Sequence, residues 1–432
     1  MKIQQTTLAN GLRIITGELA DARSLTATIS VGTGSRYETF ATNGGVSHFL
    51  EHLLFKGTKK YPTAEIIAEA IDAVGGYSNA YTSEDVTCYY IKVPGRHGQL
   101  ALDILCDMMA SPLIEAAEVD RERGVIIEEM NVWRDDPARF VGTLTPALIF
   151  PDNPLGQDII GPEDVINKIP AADIAAYQQR HYHPGNLVVA VAGQVQHEVV
   201  VRQVEAALGG LKPQPATVAP AVTSPPAQDL VAVHDKATAQ AHFMVAARAY
   251  PYEHKDERAA KVMAAILGRG MSSRLFANVR ERQGLAYTVF AEINNFVDTG
   301  IFQAYAGVNL EKIPQALTSV LHELERIRTE PVGEAELHKA QQQLRASLEM
   351  SLESNGAVAD RLGTQLLLLG HTQPLDEVIA ATEAVTAADV QRVAQELLAP
   401  GQLRLAIIAP EPQAAAEHFK HLVTPKETSH AA

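Results

Sequence analysis

Three residues, His48, Glu51 and His52, stand in the order His-x-x-Glu-His within the stretch Val46-Ser-His-Phe-Leu-Glu-His-Leu-Leu-Phe-Lys-Gly57. On a helix, histidines four apart lie one turn above each other, so both imidazoles can reach one cation with Glu51 between them. Two neutral imidazoles and one further carboxylate would leave zinc an open position for water and would lower that water's pKa to about 7. Glu51 is not needed as a ligand, so it can accept the water's proton and later deliver it to a leaving amine. The chemistry this suits is amide hydrolysis. The plain alternative is a polar helix face with two satisfied histidines, and a third ligand would decide between the two.

The element that must carry these residues is amphipathic. Val46, Phe49, Leu50, Leu53 and Leu54 recur at helical spacing and form one apolar stripe, with His48, Glu51 and His52 opposite and Gly57 as the expected stop. A longer helix is expected from about Glu115 to Asp136, ended by Pro137. With Glu122 as reference, Val119, Ile126, Glu129 and Trp133 fall within about 60 degrees of it, whereas Glu128 lands on the polar side. Two carboxylates in an apolar stripe need compensating charge, from a bound cation or from Arg or Lys elsewhere. The geometry selects Glu129 as third ligand, with Glu122 as its supporting or alternate ligand.

Around these helices, residues 3 to 16 read as two strands about the Asn10-Gly11 turn, and Thr26 to Val31 as another. Pro62-Thr63 opens a helix with an Ile67, Ala70, Ile71, Val74 stripe that Gly75-Gly76 closes. Tyr77 to Val93 is a hairpin or one bent strand, broken near Ser83-Glu84-Asp85. A helix about Leu100 to Met109 follows, and another from Ile169 to His181 leads through Pro184-Gly185 into a strand from Leu187 to Ala192.

An internal repeat sets the domain organisation. Ala171-Ala-Asp173 through Pro184-Gly185 matches Ala387-Ala-Asp389 through Pro400-Gly401 at a constant offset of 216, and Ala241 to Ala247 stands near the position of Thr26 to Val31. The expected architecture is α+β: two similar α/β halves, each a mostly antiparallel sheet packed with helices. Residues 1–210 would be the metal-binding half, the proline-rich 211–228 a linker, and 229–432 the second half. At the equivalent place in that half, His254-Lys-Asp-Glu-Arg-Ala-Ala lacks the motif, so one metal site per chain is expected.

Composition narrows the function classes. With 36 basic and 51 acidic residues, a formal charge of −15 argues against nucleic acid or an anionic membrane as partner and leaves basic peptides as suitable ligands. Two cysteines, Cys88 and Cys106, provide neither a disulfide framework nor a cysteine zinc cluster. No secretory or transit segment and no bilayer-spanning run is legible, which gives a cytoplasmic expectation.

The sequence resembles the inverzincin metallopeptidases of the pitrilysin, insulin-degrading-enzyme and mitochondrial-processing-peptidase family, as a short processing-peptidase-like member. The likeness runs from Leu8-Ala-Asn-Gly-Leu-Arg-Ile through His48 to Thr58 and over essentially the whole chain. It implies that His48, His52 and Glu129, the last in Glu122-Arg-Gly-Val-Ile-Ile-Glu-Glu129, bind Zn2+, and that Glu51 is the general base. It further implies that Asn79 and Ala80, in Gly75-Gly-Tyr-Ser-Asn-Ala80, pair with substrate as an edge strand. Arg280 and Tyr287, in Arg280-Glu-Arg-Gln-Gly-Leu-Ala-Tyr287, would reach the substrate near the scissile bond as donors to a carbonyl or oxyanion. Gly268-Arg-Gly-Met-Ser-Ser-Arg-Leu resembles the family's glycine-rich segment, but Arg269 interrupts the glycine run.

The expected function is a zinc endopeptidase acting on extended peptides or unfolded segments in an enclosed chamber. Half-length relative to the double-length members, it is expected to be a homodimer with shared active sites. A non-catalytic core or partner subunit of a larger assembly is the alternative.

Overall fold

Asn10 and Gly11 turn the chain back on itself: Gly11 has φ +90, and the Asn10 carboxamide accepts from Leu12 N and donates to Leu208 O at 2.9 Å. In the computed structural model, which describes residues 1–215 and 217–424, this turn joins β1 (Lys2–Thr7) to β2 (Arg13–Glu18). Residue 216 of the expected linker and residues 425–432 of the expected second half lie outside the described residues.

The chain divides into two compact units, each built on one sheet. The first adds β3 (Ser24–Val31), β4 (Tyr77–Thr82), β5 (Thr87–Pro94) and β6 (Leu187–Gly193), in the order β1-β2-β6-β3-β5-β4. Every neighbour is antiparallel except β2 with β6. Tyr77 to Val93 is therefore a hairpin, its two arms paired from Tyr77↔Lys92 to Thr82↔Thr87, with β4 at the sheet edge.

The second unit holds β7 (Val231–Asp235), β8 (Gln240–Ala249), β9 (Ala286–Asn295), β10 (Gly300–Asn309) and β11 (Arg404–Ala409), in the order β7-β11-β8-β10-β9. It repeats the first sheet without β1: β11 corresponds to β6, β8 to β3, and the single parallel pair recurs as β7 with β11. The offset of 216 carries β3 onto β8 and the helix Ala171–His181 onto the helix Ala387–Leu397. The α+β architecture of two similar halves is what the repeat implies.

The units do not coincide with the halves of the sequence. Residues 131–156 belong to the second unit and residues 349–373 to the first, and the boundary in the proline-rich segment falls between Pro220 and Ala221. The helix Asn355–Leu369 lies on the first sheet, where its Val358, Ala359, Leu362 and Leu366 pack with Ile15, Val188, Ala190 and Ala192. Reciprocally, Pro137–Ile149 is a helix on the second sheet, with Val141 packed among Met244, Tyr305, Ala406 and Ile408. The preceding helix, Ala116–Asp135, ends before Pro137 as expected, but a helix that was not expected begins there: Asp136 caps it by accepting from Ala138 and Arg139 N–H groups, and Pro137 takes its first position.

Residues 211–228 form neither helix nor strand among the described residues. They are nonetheless held in place, since the buried Arg36 guanidinium donates to Pro220 O at 2.8 Å and Gln214 donates to Gln179 O. No described helix is long and apolar enough to cross a membrane.

Candidate metal centre

The helix Val46–Leu54 is oriented by its stripe, for Val46, Phe49, Leu50, Leu53 and Leu54 are all fully buried. At about 1.5–3 kcal/mol for each large side chain, that burial dominates the helix's placement and turns His48, Glu51 and His52 the other way. The helix ends at Leu54, three residues before Gly57, the expected stop.

Its N-terminus is built with unusual care. Gly45 has φ +86, and a side chain there would bring Cβ to 2.1 Å from Ile160 O. Glu38, buried, accepts from Gly45 N at 2.6 Å and Ser47 N at 2.7 Å, placing a carboxyl at the positive end of the helix. Burial lifts that carboxyl to about 7, against the opposing pull of the Ser47 and Gly45 hydrogen bonds. Ser47 Oγ also meets Tyr177 OH at 2.8 Å, which in turn meets Thr33 Oγ1 at 2.7 Å. The helix Ala171–His181 thereby fixes the histidine helix through buried hydroxyls.

The second carrier is the helix Ala116–Asp135, whose Val119, Glu122, Ile126 and Met130 are buried, with Glu129 half-buried and Glu128 exposed. Arg123 fastens it to the rest of the site, donating to Ile166 O and Ile169 O while its guanidinium lies 5.8 Å from the centre of the Phe49 ring.

Glu129 Oε2 lies 3.5 Å from His48 Nε2 and 3.4 Å from His52 Nε2, and among the described residues these three alone form a cluster able to hold a metal ion. Ligands about 2.0–2.2 Å from zinc at tetrahedral angles stand about 3.3–3.5 Å apart, so the donor set and its spacing fit that ion. Burial, then the neighbouring His52, pulls the His48 pKa down to about 4, which keeps the ring neutral and its nitrogen a donor of electrons at neutral pH. For His52 burial acts downward, but Glu129 and Glu122 outweigh it and the net shift is upward. Glu51 is raised by burial, opposed by a hydrogen bond from Thr82.

Glu122 takes a different place from Glu129. Its Oε2 is 3.2 Å from His52 Nδ1, and its Oε1 is 2.6 Å from Lys56 Nζ. It thus stands apart from the three-residue cluster, against the far nitrogen of the His52 ring. The compensating charge the sequence demanded for Glu122 is an ordinary lysine.

Asn79 and Ala80 lie in β4, paired with Tyr90 and Tyr89 on the inner side, with the outer edge of β4 unpaired among the described strands. The strand ends at Thr82, whose Oγ1 donates to Glu51 Oε2 at 2.6 Å. Arg280 and Tyr287 lie in the second unit and come together there: the guanidinium carbon is 5.2 Å from the centre of the Tyr287 ring and 4.6 Å from that of Phe276. Arg280 sits in a π-helical stretch, Phe276–Arg282, and Tyr287, 72% exposed, is the second residue of the edge strand β9.

Sequence reasoning passed over Glu38, Lys56, Arg123 and Thr82. Lys56, one turn after His52, and Thr82, on the same strand face as Ala80, carried a signal in their spacing. Glu38 and Arg123 act across loops and between helices and carried none.

Residues 13–163 match the family model described as insulinase, peptidase family M16, and residues 168–344 match the model of the M16 inactive domain. An uncharacterized zinc protease of Streptomyces coelicolor is 40% identical over 402 residues, spanning 92% of this chain and 87% of its own. The chain belongs to the M16 peptidase family. Another M16 relative, a probable mitochondrial-processing peptidase subunit beta of Arabidopsis thaliana, is 32% identical over 416 residues, 94% of this chain and 78% of its own. Among solved structures, a protease from Helicobacter pylori superposes with TM-score 0.87 at 26% identity, covering 95% of this chain and 99% of that one. An M16 inactive domain from Pseudomonas fluorescens, at 19% identity and TM-score 0.85, shares the M16 fold.

Proposed function

We propose that this chain is a zinc-dependent endopeptidase of extended or unfolded polypeptide. The observation that carries this reading is the convergence of His48 Nε2, His52 Nε2 and Glu129 Oε2 beside Glu51. Zinc bound by those three residues would acidify a water molecule and polarise the substrate carbonyl.

The chain's own groups supply the rest. Glu122 accepts from His52 Nδ1–H and so presents Nε2 with its lone pair. Glu51 takes a proton from the attacking water, the water oxygen bonds to the carbonyl carbon, and the same carboxyl returns the proton to the amide nitrogen as the C–N bond breaks. Asn79 and Ala80 bind the substrate main chain along the open edge of β4, a mode that tolerates many sequences but requires an extended backbone. Arg280 and Tyr287 are assigned to the carbonyl oxygen as donors, in a homodimer where each chain serves its partner's zinc residues.

Zinc content measured alongside cleavage of a quenched-peptide library tests the reading. The expected result is about one zinc per chain, activity abolished by a chelator and restored by zinc, and cleavage of unfolded but not of stably folded substrates. A chain that binds zinc yet cuts nothing in the library would instead support the non-catalytic subunit.

A further inference from the structure

The last two residues of β4 face opposite ways and are both engaged. Tyr81 OH donates to Asp360 Oδ1 at 2.5 Å, on the side covered by the helix Asn355–Leu369. Thr82 Oγ1 donates to Glu51 Oε2 at 2.6 Å, on the side of the histidine helix. Glu51 Oε1 accepts no hydrogen bond among the described residues.

We infer that Thr82 is a positioning residue for the proposed base: by tying Oε2 of Glu51 to the strand that binds substrate, it leaves Oε1 to meet the water. The inference rests on the peptidase reading and adds a residue to it.

The terminal torsion of a glutamate is broad and nearly two-fold, so an untethered carboxylate samples orientations that do not face the water. A hydroxyl donating to an ionised carboxylate makes a short, strong bond of about 2.5–2.7 Å, and the observed 2.6 Å lies in that range. With Oε2 so held, Oε1 is left as the proton acceptor.

The location of the donor matters as much as its strength. A substrate strand added to β4 takes its register from Asn79 and Ala80, while Thr82 lies two residues beyond Ala80, roughly 7 Å along the same strand. Thr82 and Ala80 share a face, and both are pinned from the inner side by β5 through Thr82↔Thr87 and Ala80↔Tyr89. From the opposite face the Tyr81 bond to Asp360 holds the strand down. Scissile bond and base are therefore referenced to one rigid element. Orientation of this kind is where large kinetic effects arise, since a misplacement of about 1 Å can cost on the order of 100-fold.

The test compares Thr82→Ser, Thr82→Ala and Thr82→Val in the full chain, with steady-state kinetics, zinc content and thermal midpoint for each. Thr82→Ala and Thr82→Val are expected to lose about 10- to 100-fold in kcat with KM changed less than about 3-fold and zinc retained. Thr82→Ser, which keeps the donor, is expected to retain most of the activity. If Thr82→Val proves unstable, the Ser and Ala variants decide alone, because they differ by one hydroxyl. Thr82→Ala with wild-type kcat, Thr82→Ser as impaired as Thr82→Ala, or loss of zinc in Thr82→Ala would each overturn the assignment. A wild-type chain without zinc-dependent cleavage overturns the peptidase reading and this assignment with it. An active wild type with an unaffected Thr82→Ala overturns the assignment alone.

Discussion

Glu122 Oε2 lies 3.2 Å from Nδ1 of His52, the ring nitrogen that does not face Glu129. The two glutamates of one helix therefore act on opposite sides of one imidazole. Partners of a ligating histidine's second nitrogen typically affect metal affinity by about 10- to 100-fold. Glu122→Gln, which keeps an acceptor but loses the charge, is expected to weaken zinc binding about 10-fold. Glu129→Gln should weaken it further, and the exposed Glu128→Gln should leave it unchanged. Competition against a chromogenic chelator measures all three, and an effect of Glu128→Gln equal to that of Glu129→Gln would refute the assignment.

Glu51 offers the complementary outcome. Glu51→Gln preserves shape and the contact with Thr82 but removes the proton acceptor, so about one zinc per chain should remain while cleavage falls by at least about 100-fold. Loss of zinc from this variant would make Glu51 a ligand and not the base.

Glu38 links the histidine helix to pH. Its carboxyl is lifted from an ordinary 4.5 to about 7, chiefly by burial, so the folded chain holds that proton more tightly than the unfolded chain does. The stability it contributes is full below about pH 4.5 and is lost as pH rises through 7, a change on the order of 3 kcal/mol. Glu38→Gln cannot titrate, so the wild-type thermal midpoint should fall relative to the variant between pH 4.5 and 7. Parallel midpoint curves would show that Glu38 does not bind the proton.

The shared-site homodimer is tested by subunit exchange. Glu51→Gln chains and Arg280→Ala/Tyr287→Phe chains should each be inactive alone. In a mixed two-fold dimer one site carries both lesions and the other carries none, so activity should reappear. A mixture that stays inactive, or a strictly monomeric active enzyme in sedimentation, rules the arrangement out.

Periodicity made much of the site legible. The stripe of Val46, Phe49, Leu50, Leu53 and Leu54 predicts which side the histidines take, and the angular position of Glu129 against Glu128 matches their exposure. The repeat likewise exposed the two similar sheets, because the pattern of a buried strand survives at a fixed offset. What escaped was whatever depends on distant segments meeting. Glu38 holds Gly45 and Ser47, and Arg123 reaches Ile166 O and Ile169 O, through contacts that leave no periodic trace. The helix Pro137–Ile149 escaped for another reason: Asp136-Pro137 serves equally as the end of one helix and the cap of the next, and Pro146 within it further blurs the pattern.

The helix Asn355–Leu369, which covers Ile15, Val188, Ala190 and Ala192, imposes an order on the birth of this protein. All six strands of the first sheet have been synthesised by residue 193, yet the helix that completes its core begins roughly 160 residues later. At ~5–20 residues per second, the nascent sheet keeps an apolar face open for about 10–30 s. Arrested chains ending before residue 355 should therefore recruit holdase chaperones to that face, and chains extended far enough for residues 355–369 to clear the exit tunnel should release them.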